Sequence, residues 1–501
     1  MKKKVVLFYP PYGGPPLGAP LCLLHLAAPL LDAGFDVALI DGAIEPDYER
    51  AVAREVENAL CFGVSVLTGP MIGASIKMAR LVRKTRPGLP IIFGGWHPSL
   101  VPDQTLRPDF VDVIVRGQGE LTLLEIAQRL GEGKDLDGVR GASTKQDGHV
   151  VHGAERPLEN LNNLPRPAYH LADFDGYERA RGKREMGYAT SLGCPYACNY
   201  CTDQVFYKRR FNAYKAERVV DDVAELVERY RLDEVPFLDS NFPVDTKRVV
   251  AIARGLIERK VKVRWTVQAS TDLLCRMSDE DVCLLRESGL YYMGFGTESA
   301  SQEVLALMNK KHERVRDMYE TARKTERAGM RVNFNLILGY PGETESDRVQ
   351  TFTIMSDIAR RHSNVSFSPN IFTPYPGIPI WPQLKQMGVH EPQSLEEWND
   401  LPLGSNVLPW LQGNELRRLR RMLEFFLINN HIGKAARGRP WLSRTLRLAL
   451  GAPLRWRLRK RRFGFPLELW AISAAGLAGG VVTKRSLVTG QPLTHSTAEV
   501  C

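Results

Sequence analysis

Three cysteines fall within eight residues, in the stretch TSLGCPYACNYC at residues 190–201. Cys194, Cys198 and Cys201 have the spacing C-x3-C-x2-C, in a chain of 501 residues that holds only eight cysteines. Three thiolates on one loop can bind three irons of a cubane iron–sulfur cluster and leave the fourth iron open to a ligand that the protein does not supply. Zinc is an alternative, but a structural zinc site needs four ligands, and the nearest histidine in sequence, His170, lies 24 residues upstream. A third interpretation is that the three are unliganded loop cysteines.

The composition is that of an ordinary globular protein, with 44% hydrophobic and 25% charged residues, and the length predicts two or three domains. The opening residues MKKKVVLFYPPYGGPP contain prolines and glycines too early for the apolar core of a secretion signal. No apolar run approaches the ~20 residues that a membrane span needs. The expected location is a reducing cytoplasm, where a tight cysteine cluster indicates a metal or catalytic site rather than a disulfide framework.

Short apolar runs alternate with helical patterns between residues 3 and 130, in a region that we take as a first domain over residues 1–135. The runs are KVVLFYP, DVALID, CFGVSVL, LPIIFGG and VDVIVRG. This alternation predicts a doubly wound, Rossmann-like parallel sheet with helices on both faces. Ligands of such sheets bind at the carboxyl ends of the strands. Glycines follow those ends at Gly13, Gly14, Gly69, Gly94, Gly95, Gly117 and Gly119, but none of them forms the G-x-G-x-x-G fingerprint of nicotinamide binding.

A second alternation runs from residue 187 to about residue 372. The predicted strands are GYATSL, EVPFLD, KVRWTVQ, LYYMGFG, RVNFNLILG and NVSFSPNIF. Six strand–helix units predict an α/β partial barrel of the (β/α)6 TIM type over residues 187–390, with its chemistry at the carboxyl ends of the strands. The three cysteines directly follow the first of these strands. Residues 136–186 are predicted to form an irregular linker rich in Pro and Asn, and residues 391–501 are predicted to form a mainly helical, basic region.

The cysteine stretch resembles the signature C-x3-C-x-aromatic-C of the radical S-adenosylmethionine enzymes, with Tyr200 as the aromatic residue. The resemblance implies a [4Fe–4S] cluster whose open iron binds S-adenosylmethionine and cleaves it to a 5′-deoxyadenosyl radical. It extends to FLDSNF, where Asp239 and Asn241 are candidates to hold the methionyl amine, and to GFGTES, where Glu298 is placed to contact the ribose or the amine. NLILGYPGET resembles the fifth-strand motif against the nucleoside, with Gly339, Gly342 and Glu343 in the matching places.

The first domain resembles the cobalamin-binding domain of one subgroup of this family, that of the class B radical methyltransferases and the anaerobic magnesium-protoporphyrin ester cyclase. GGWHPSLVPDQTL, VRGQGELTLLEI and, after the sixth strand, FTPYPGIPIW carry this resemblance. The cobalamin contacts that it implies are Gly14, Thr68, Gly69, Gly94, Gly95, His97, Gly117, Gly119 and Glu120. The cobalt-ligating motif Asp-x-His-x-x-Gly is absent from the sequence, so we expect no histidine below the cobalt, and His97 has a structural role as its alternative interpretation. Gln118 and Ile378 depart from the residues common in the subgroup, an acid and a Thr.

The resemblance implies two chemistries, methyl transfer to an unactivated carbon and oxidative cyclisation or rearrangement, of which we favour methyl transfer. It also implies a one-electron reductant such as flavodoxin or ferredoxin.

Between Lys434 and Phe465 the chain has eleven Lys or Arg and no acid, and these account for the formal charge of +10. Arg mixed with Leu, Trp and Phe is typical of a helix on an anionic membrane surface. We therefore expect a hydrophobic substrate, such as an isoprenoid lipid or a porphyrin, and peripheral contact with the inner face of the membrane. A solvated face and nucleic-acid binding are alternatives for the basic segment, the latter the less favoured. A cobalamin-dependent sensor with a structural cluster is the alternative for the whole protein.

Overall fold

The computed structural model describes residues 3–16, 18–399 and 408–435, together with the single positions 453, 456, 457, 460 and 462. The basic segment and the apolar stretch 471–482 therefore lie almost entirely outside the described residues. In the described part of the chain, no helix combines the length and apolar character that crossing a membrane requires.

The first domain is built on a seven-stranded sheet in the order β2-β1-β3-β4-β5-β6-β7, of which the first five strands are parallel. Its strands are β1 (Lys4–Tyr9), β2 (Asp36–Asp41), β3 (Ala59–Ser65), β4 (Ile91–Gly94), β5 (Val113–Val115), β6 (Ala142–Gln146) and β7 (His149–His152). Its helices are α1 (Leu21–Asp32), α2 (Tyr48–Val56), α3 (Met71–Thr85), α4 (Trp96–Leu100), α5 (Pro102–Leu106) and α6 (Glu120–Gly131). The five predicted strands are all present and the doubly wound fold is confirmed. The strand order changes direction between β1 and β3, the kind of switch point at which such sheets bind ligands.

A hairpin of β6 and β7 lies within the stretch that the sequence analysis treats as an irregular linker. It extends the first sheet antiparallel to β5. The two strands are joined by Asp147 and Gly148, which both have positive φ (49° and 79°). An Asp-Gly pair with this conformation is a strong signal for a two-residue hairpin, but the flanking strands are too polar to resemble buried strands.

The barrel domain has a five-stranded parallel sheet in the order β10-β11-β12-β13-β14. Its strands are β10 (Glu234–Pro236), β11 (Arg264–Ala269), β12 (Leu290–Glu298), β13 (Arg331–Leu338) and β14 (Val365–Ile371), and a short hairpin of β8 (Ser191–Leu192) and β9 (Asn212–Ala213) precedes them. The predicted first strand pairs in parallel with the β10 segment through single bridges at Glu185–Glu234 and Tyr188–Phe237. Six parallel segments thus form the partial barrel, as predicted.

Helices surround the barrel sheet and continue into the C-terminal region. They are α7 (Phe174–Arg181), α8 (Asp203–Phe206), α9 (Ala216–Tyr230), α10 (Thr246–Glu258), α11 (Thr271–Cys275), α12 (Asp279–Glu287), α13 (Gln302–Leu307), α14 (Val315–Arg327), α15 (Glu345–Arg361), α16 (Trp381–Gln386), α17 (Leu395–Asn399) and α18 (Gly413–Ala435). The last helix packs on the barrel through Phe426, whose ring stacks on Phe352 at 4.6 Å. Helix α18 is therefore part of the barrel's outer layer, whereas α17 packs on α3 of the first domain, where the Gly73 amide donates to Asn399 Oδ1 at 2.8 Å.

The connector between the two domains holds the carboxyl edge of the first sheet against the start of the barrel. The Ala168 amide donates to the Leu24 carbonyl of α1 at 3.0 Å, and the Tyr177 hydroxyl donates to the buried Asp41 carboxylate at the end of β2. Burial raises the pKa of Asp41. Because these contacts join α1 and β2 to the connector, the strand ends of the first domain face the first barrel segment.

Candidate active site at the carboxyl ends of the strands

The cysteine loop follows β8 and is fixed from both sides by backbone contacts. Gly193 has φ +80°, and a side chain there would overlap the Arg210 carbonyl oxygen, so the loop requires glycine at its start. On the other side, the Asn199 amide nitrogen donates to the Met308 carbonyl at 3.0 Å and its side chain to the Leu307 carbonyl at 2.8 Å. The loop is therefore anchored to the end of α13 rather than free to rearrange.

The thiols of Cys194, Cys198 and Cys201 are free of disulfides, and Cys198 is buried. Burial raises the pKa of all three thiols, and for Cys201 the nearby Asp203 and Cys198 raise it further. Lys310 lowers the pKa of Cys198, but burial outweighs it, so the three thiols stay neutral unless a stronger positive charge binds them. A metal cluster supplies the positive charge that stabilises thiolates, so this buried set fits an iron–sulfur cluster.

Asp239 binds the strand segment that leads into the cysteine loop. Its carboxylate accepts hydrogen bonds from the Thr190 amide at 2.7 Å and from the hydroxyls of Thr190 and Ser191. Burial raises the pKa of Asp239, and the Arg248 guanidinium, which donates to the Thr190 carbonyl at 2.7 Å, opposes that rise. These contacts position the loop, whereas a contact from Asp239 to S-adenosylmethionine stays a prediction.

Asn241 has an unused acceptor beside the first cysteine. Its side-chain nitrogen lies 3.9 Å from Cys194 Sγ and donates to Ser270 Oγ at 3.2 Å. Its Oδ1 is buried without a hydrogen-bond partner in the described structure. Buried polar atoms rarely remain unpaired in a native protein, so this oxygen fits an amine donor of a bound ligand.

Glu298 ends β12 with φ +59°, a left-handed conformation that costs a non-glycine residue about 1–3 kcal/mol. The Tyr200 hydroxyl donates to its Oε1 at 3.0 Å. Burial raises the pKa of the Glu298 carboxyl, and the positive charge of Lys310 opposes that rise. A Cβ at Gly296 would lie 2.7 Å from Glu298 Oε1 and 3.8 Å from Lys310 Nζ, so glycine leaves room for both groups.

Lys310 is a site residue that sequence reasoning missed. It is only 6% exposed. Burial lowers the pKa of Lys310, but Cys198, Glu298 and Glu313 outweigh burial and raise it above its ordinary value. A buried cation beside the cysteine loop can hold a ligand carboxylate. Its sequence context, NKKHE, is that of an ordinary exposed loop and carries no signal of burial.

The turn after β13 carries the predicted nucleoside-facing residues. Gly339 and Gly342 have φ values of +74° and +84°. The Glu343 carboxylate accepts from the Gly339 amide and, at 2.8 Å, from Arg348 Nε. Glu343 therefore fixes the shape of the turn, and the Trp410 indole covers it with a hydrogen bond to the Gly339 carbonyl at 3.0 Å.

A cavity of about 120 Å³ lies at the carboxyl edge of the first sheet, between α1 and α6. Of the predicted cobalamin contacts, five line it: Gly94, Gly95, Gly117, Gly119 and Glu120. Burial raises the pKa of Glu120. Gly14, Thr68, Gly69 and His97 do not line the cavity, and a role for them stays a prediction. A pocket with glycines on one side and apolar side chains on the other allows close approach of part of a bulky cofactor.

His97 is fully buried away from this cavity. Its Nδ1 lies 3.0 Å from Thr68 Oγ1, and its ring packs edge-on against Trp398 at 5.7 Å. Burial lowers the pKa of His97 to about 3, so the ring is neutral at physiological pH. These contacts are those of the structural histidine that the sequence analysis names as the alternative.

The cavity has further lining residues that the sequence analysis did not identify. On the side of the first domain these include Cys22, His25, Leu26, Ser65 and Leu123, and on the barrel side Ala189, Leu192, Phe206, Tyr207 and Tyr214. Burial lowers the pKa of His25 to about 4. No sequence motif could have paired α1 with residues beside the cysteine loop, because the contact arises only when the two domains pack.

Comparison with known proteins agrees with this arrangement. The profile of the Radical SAM superfamily matches residues 188–354, and that of the B12 binding domain matches residues 12–127. An uncharacterized methyltransferase of Pyrococcus horikoshii is 29% identical over 374 residues, which cover 74% of this chain and 78% of that protein. The anaerobic magnesium-protoporphyrin IX monomethyl ester cyclase of Rubrivivax gelatinosus is 25% identical over 406 residues, covering 76% and 70% of the two chains.

Among solved structures, the cobalamin-dependent S-adenosylmethionine radical enzyme OxsB with aqua-cobalamin bound has a similar fold. The TM-score is 0.72 at 15% identity, covering 98% of this chain and 77% of that one. The two matched domains imply a [4Fe–4S] cluster, S-adenosylmethionine and cobalamin as cofactors. The chain therefore carries a radical SAM domain with a B12-binding domain ahead of it.

Proposed function

We propose that this protein is a cobalamin-dependent radical methyltransferase that acts on an unactivated carbon. One observation carries the proposal: the cavity of the first domain and the cysteine loop share a wall. Leu192 lines the cavity, and Cys194 stands two residues later in the chain. Methyl transfer to a substrate radical needs the methyl donor and the radical source on either side of one substrate, and this shared wall brings their candidate sites together.

The proposed role of each residue follows from its contacts. Cys194, Cys198 and Cys201 would hold the cluster, and Gly94, Gly95, Gly117, Gly119 and Glu120 would contact cobalamin. Asn241 Oδ1 would accept from the methionyl amine, while Lys310 would hold its carboxylate and Glu298 would contact the ribose or the amine. When bound, the cluster and S-adenosylmethionine supply a 5′-deoxyadenosyl radical, and cobalamin supplies the methyl group.

The chain's own residues orient these groups and exclude water. The Tyr200 hydroxyl fixes the Glu298 carboxylate, and Asp239 fixes the strand that begins the loop. At the shared wall, the rings of Trp96 and Phe206 pack at 4.3 Å, one from each domain. Aromatic packing at this junction keeps solvent from a radical that would otherwise be quenched.

The proposal includes the class of substrate, the reductant and the location of the protein in the cell. A radical SAM enzyme uses an external reductant and a small-molecule substrate. We extend this to a hydrophobic substrate, a flavodoxin or ferredoxin reductant, and a cytoplasmic protein in peripheral contact with the membrane. The basic segment on which the membrane contact rests lies almost entirely outside the described residues. The proposed domains are residues 1–135 for cobalamin, 136–186 as a linker whose β6–β7 hairpin extends the first sheet, 187–390 as barrel and 391–501 as C-terminal region.

The test is substrate-independent formation of methylcobalamin. Protein reconstituted with iron, sulfide and hydroxocobalamin is reduced anaerobically and given S-adenosylmethionine with a deuterated methyl group, and the cobalamin is analysed by mass spectrometry. Methylcobalamin carrying the deuterated methyl is expected. Formation of 5′-deoxyadenosine without methylcobalamin would contradict methyl transfer and favour the cyclisation that relatives such as the Rubrivivax cyclase perform.

A further inference from the structure

The solvent side of the cysteine loop is bordered by a basic turn. Lys208, Arg209 and Arg210 are consecutive and all exposed, and the first two adopt left-handed φ values of 53° and 59°. Arg209 Nε donates to the Pro195 carbonyl at 3.4 Å, and the Arg210 carbonyl packs against Gly193. The strained turn therefore holds three cations directly beside the residues that flank Cys194.

The other border of the loop presents an exposed apolar side chain and a further cation. Leu307 is 45% exposed, which is unusual for a leucine of the described residues, and its carbonyl accepts from the Asn199 side chain. The Asn309 side chain donates to the Ala197 carbonyl at 2.6 Å. Lys311 follows two residues later and is exposed. The loop thus lies between an apolar contact point and cations on both sides.

The charge of this surface is largely uncompensated. Lys208 forms an ion pair with Glu155. Within the described ranges Arg209, Arg210 and Lys311 form no ion pair, although Arg210 lies close enough to Glu155, the partner of Lys208, to help lower the pKa of that carboxyl. Three unpaired cations around one loop create a positive potential that attracts an acidic partner and raises its association rate by about 10–1,000-fold at low ionic strength.

We propose that this face, formed by Lys208, Arg209, Arg210, Leu307 and Lys311, is the docking site of a small acidic one-electron carrier protein. The inference rests on the proposed function, because only a redox-active cluster in the loop needs such a partner. In the docked complex one electron leaves the reduced flavin of the carrier, which is oxidised by one electron, and enters the cluster, which is reduced by one electron. An apolar centre with a charged rim is the usual anatomy of a transient protein interface.

The experiment measures cluster reduction by two reductants in the reconstituted full chain. Stopped-flow absorbance gives the rate with reduced flavodoxin at low salt, and the rate with dithionite, a small ion that needs no docking surface. R209E/R210E is compared with K260E/K262E, which makes the same change of charge at exposed residues just before β11, at the opposite edge of the barrel sheet. We expect R209E/R210E, but not K260E/K262E, to lose at least about tenfold in the rate of reduction by flavodoxin. Its rate of reduction by dithionite should be unchanged, and its rate with flavodoxin should no longer depend on salt.

An unchanged flavodoxin rate in R209E/R210E, or an equal loss in K260E/K262E, would overturn the docking site. Because Arg209 contacts the loop, K311E provides a second test on the other border, with K262E as its single-charge control; the same selective loss is expected. Binding of flavodoxin by titration calorimetry should weaken in parallel, whereas weaker pelleting with anionic vesicles at an unchanged flavodoxin rate would assign the face to a membrane instead. If wild-type protein takes up no cluster that dithionite reduces, the proposed function fails, and this outcome is distinct from failure of the docking site.

Discussion

The Tyr200 hydroxyl donates a hydrogen bond to Glu298 Oε1 at 3.0 Å and so ties the cysteine loop to the end of β12. The two residues are 98 positions apart in the chain. Tyr200 stands immediately before the last cysteine, and Glu298 has a strained backbone. The bond couples the candidate cluster site to the candidate S-adenosylmethionine site.

Breaking this bond should weaken S-adenosylmethionine binding without loss of iron. We expect Glu298→Gln to raise the dissociation constant about tenfold, since a charge-assisted bond is lost, and Tyr200→Phe to raise it about threefold, since only the orienting bond is lost. The control is Tyr319→Phe, which removes a hydroxyl that donates to Asp357 between two outer helices. Calorimetric titration checks the two dissociation constants, and iron analysis checks that the iron content is unchanged. Loss of iron from Glu298→Gln would show that Glu298 is structural instead.

Asp239 and Asn241 should give opposite phenotypes, although they are two residues apart. Asp239→Asn weakens the acceptor of three donors and should lower the free energy of unfolding by about 2 kcal/mol. Asn241→Ala removes the oxygen that has no partner together with one hydrogen bond to Ser270, and should lower the free energy of unfolding by only about 1 kcal/mol while weakening S-adenosylmethionine binding. Denaturant unfolding and ligand titration of both variants decide the matter; equal effects on binding would contradict the assignment.

A side chain introduced at Gly119 should block cobalamin but not iron. A Cβ there would lie 3.1 Å from Leu26 Cδ2 and 3.3 Å from Val115 Cγ1, inside the cavity, so Gly119→Val fills it. Gly88→Val is the control in the same domain, because a Cβ at Gly88 meets nothing within 4 Å. Visible spectroscopy and metal analysis should find less than about a tenth of the wild-type cobalt in Gly119→Val. Full cobalt loading of that variant would place cobalamin elsewhere.

The neutral, buried His97 should make the protein less stable in acid. Burial lowers its folded pKa to about 3 from an ordinary value near 6.5, so only the unfolded state takes up a proton as the pH falls below 6.5. The stability that His97 contributes is complete above pH 6.5 and is lost as the pH falls toward 3, by up to about 1.4 kcal/mol per pH unit. Thermal midpoints of the metal-free protein should therefore fall more steeply with acid in the wild type and in the exposed-site control His170→Gln than in His97→Gln. Identical slopes in all three proteins would exclude His97 as the source.

The strands and the cysteine loop were predictable because their signals are local. Continuous apolar runs such as KVVLFYP mark strands covered on both faces, and β1 is buried along nearly its whole length. The hairpin of β6 and β7 was missed because its strands are polar and lie at a sheet edge, despite the Asp-Gly turn.

The contacts of the site were less predictable, because they depend on how distant segments pack. Sequence placed Asp239 at a strand end, but only the fold shows that Thr190 and Ser191 occupy its carboxylate. Lys310 lies near Glu298 at the end of β12 and near Glu313 of its own loop, and its burial follows from how this loop packs against the barrel. Neither contact can be predicted from the composition or the periodicity of the sequence.

Anaerobic reconstitution with iron, sulfide and hydroxocobalamin, followed by metal analysis and assay of 5′-deoxyadenosine, tests the central claim most directly. The wild type and Cys283→Ala, whose thiol is exposed outside the loop, should each bind about four irons and one cobalt per chain and cleave S-adenosylmethionine. Cys198→Ala should keep the cobalt but lose the intact cluster and all 5′-deoxyadenosine. Full turnover by Cys198→Ala, or wild-type protein that binds iron but no cobalt, would contradict the account.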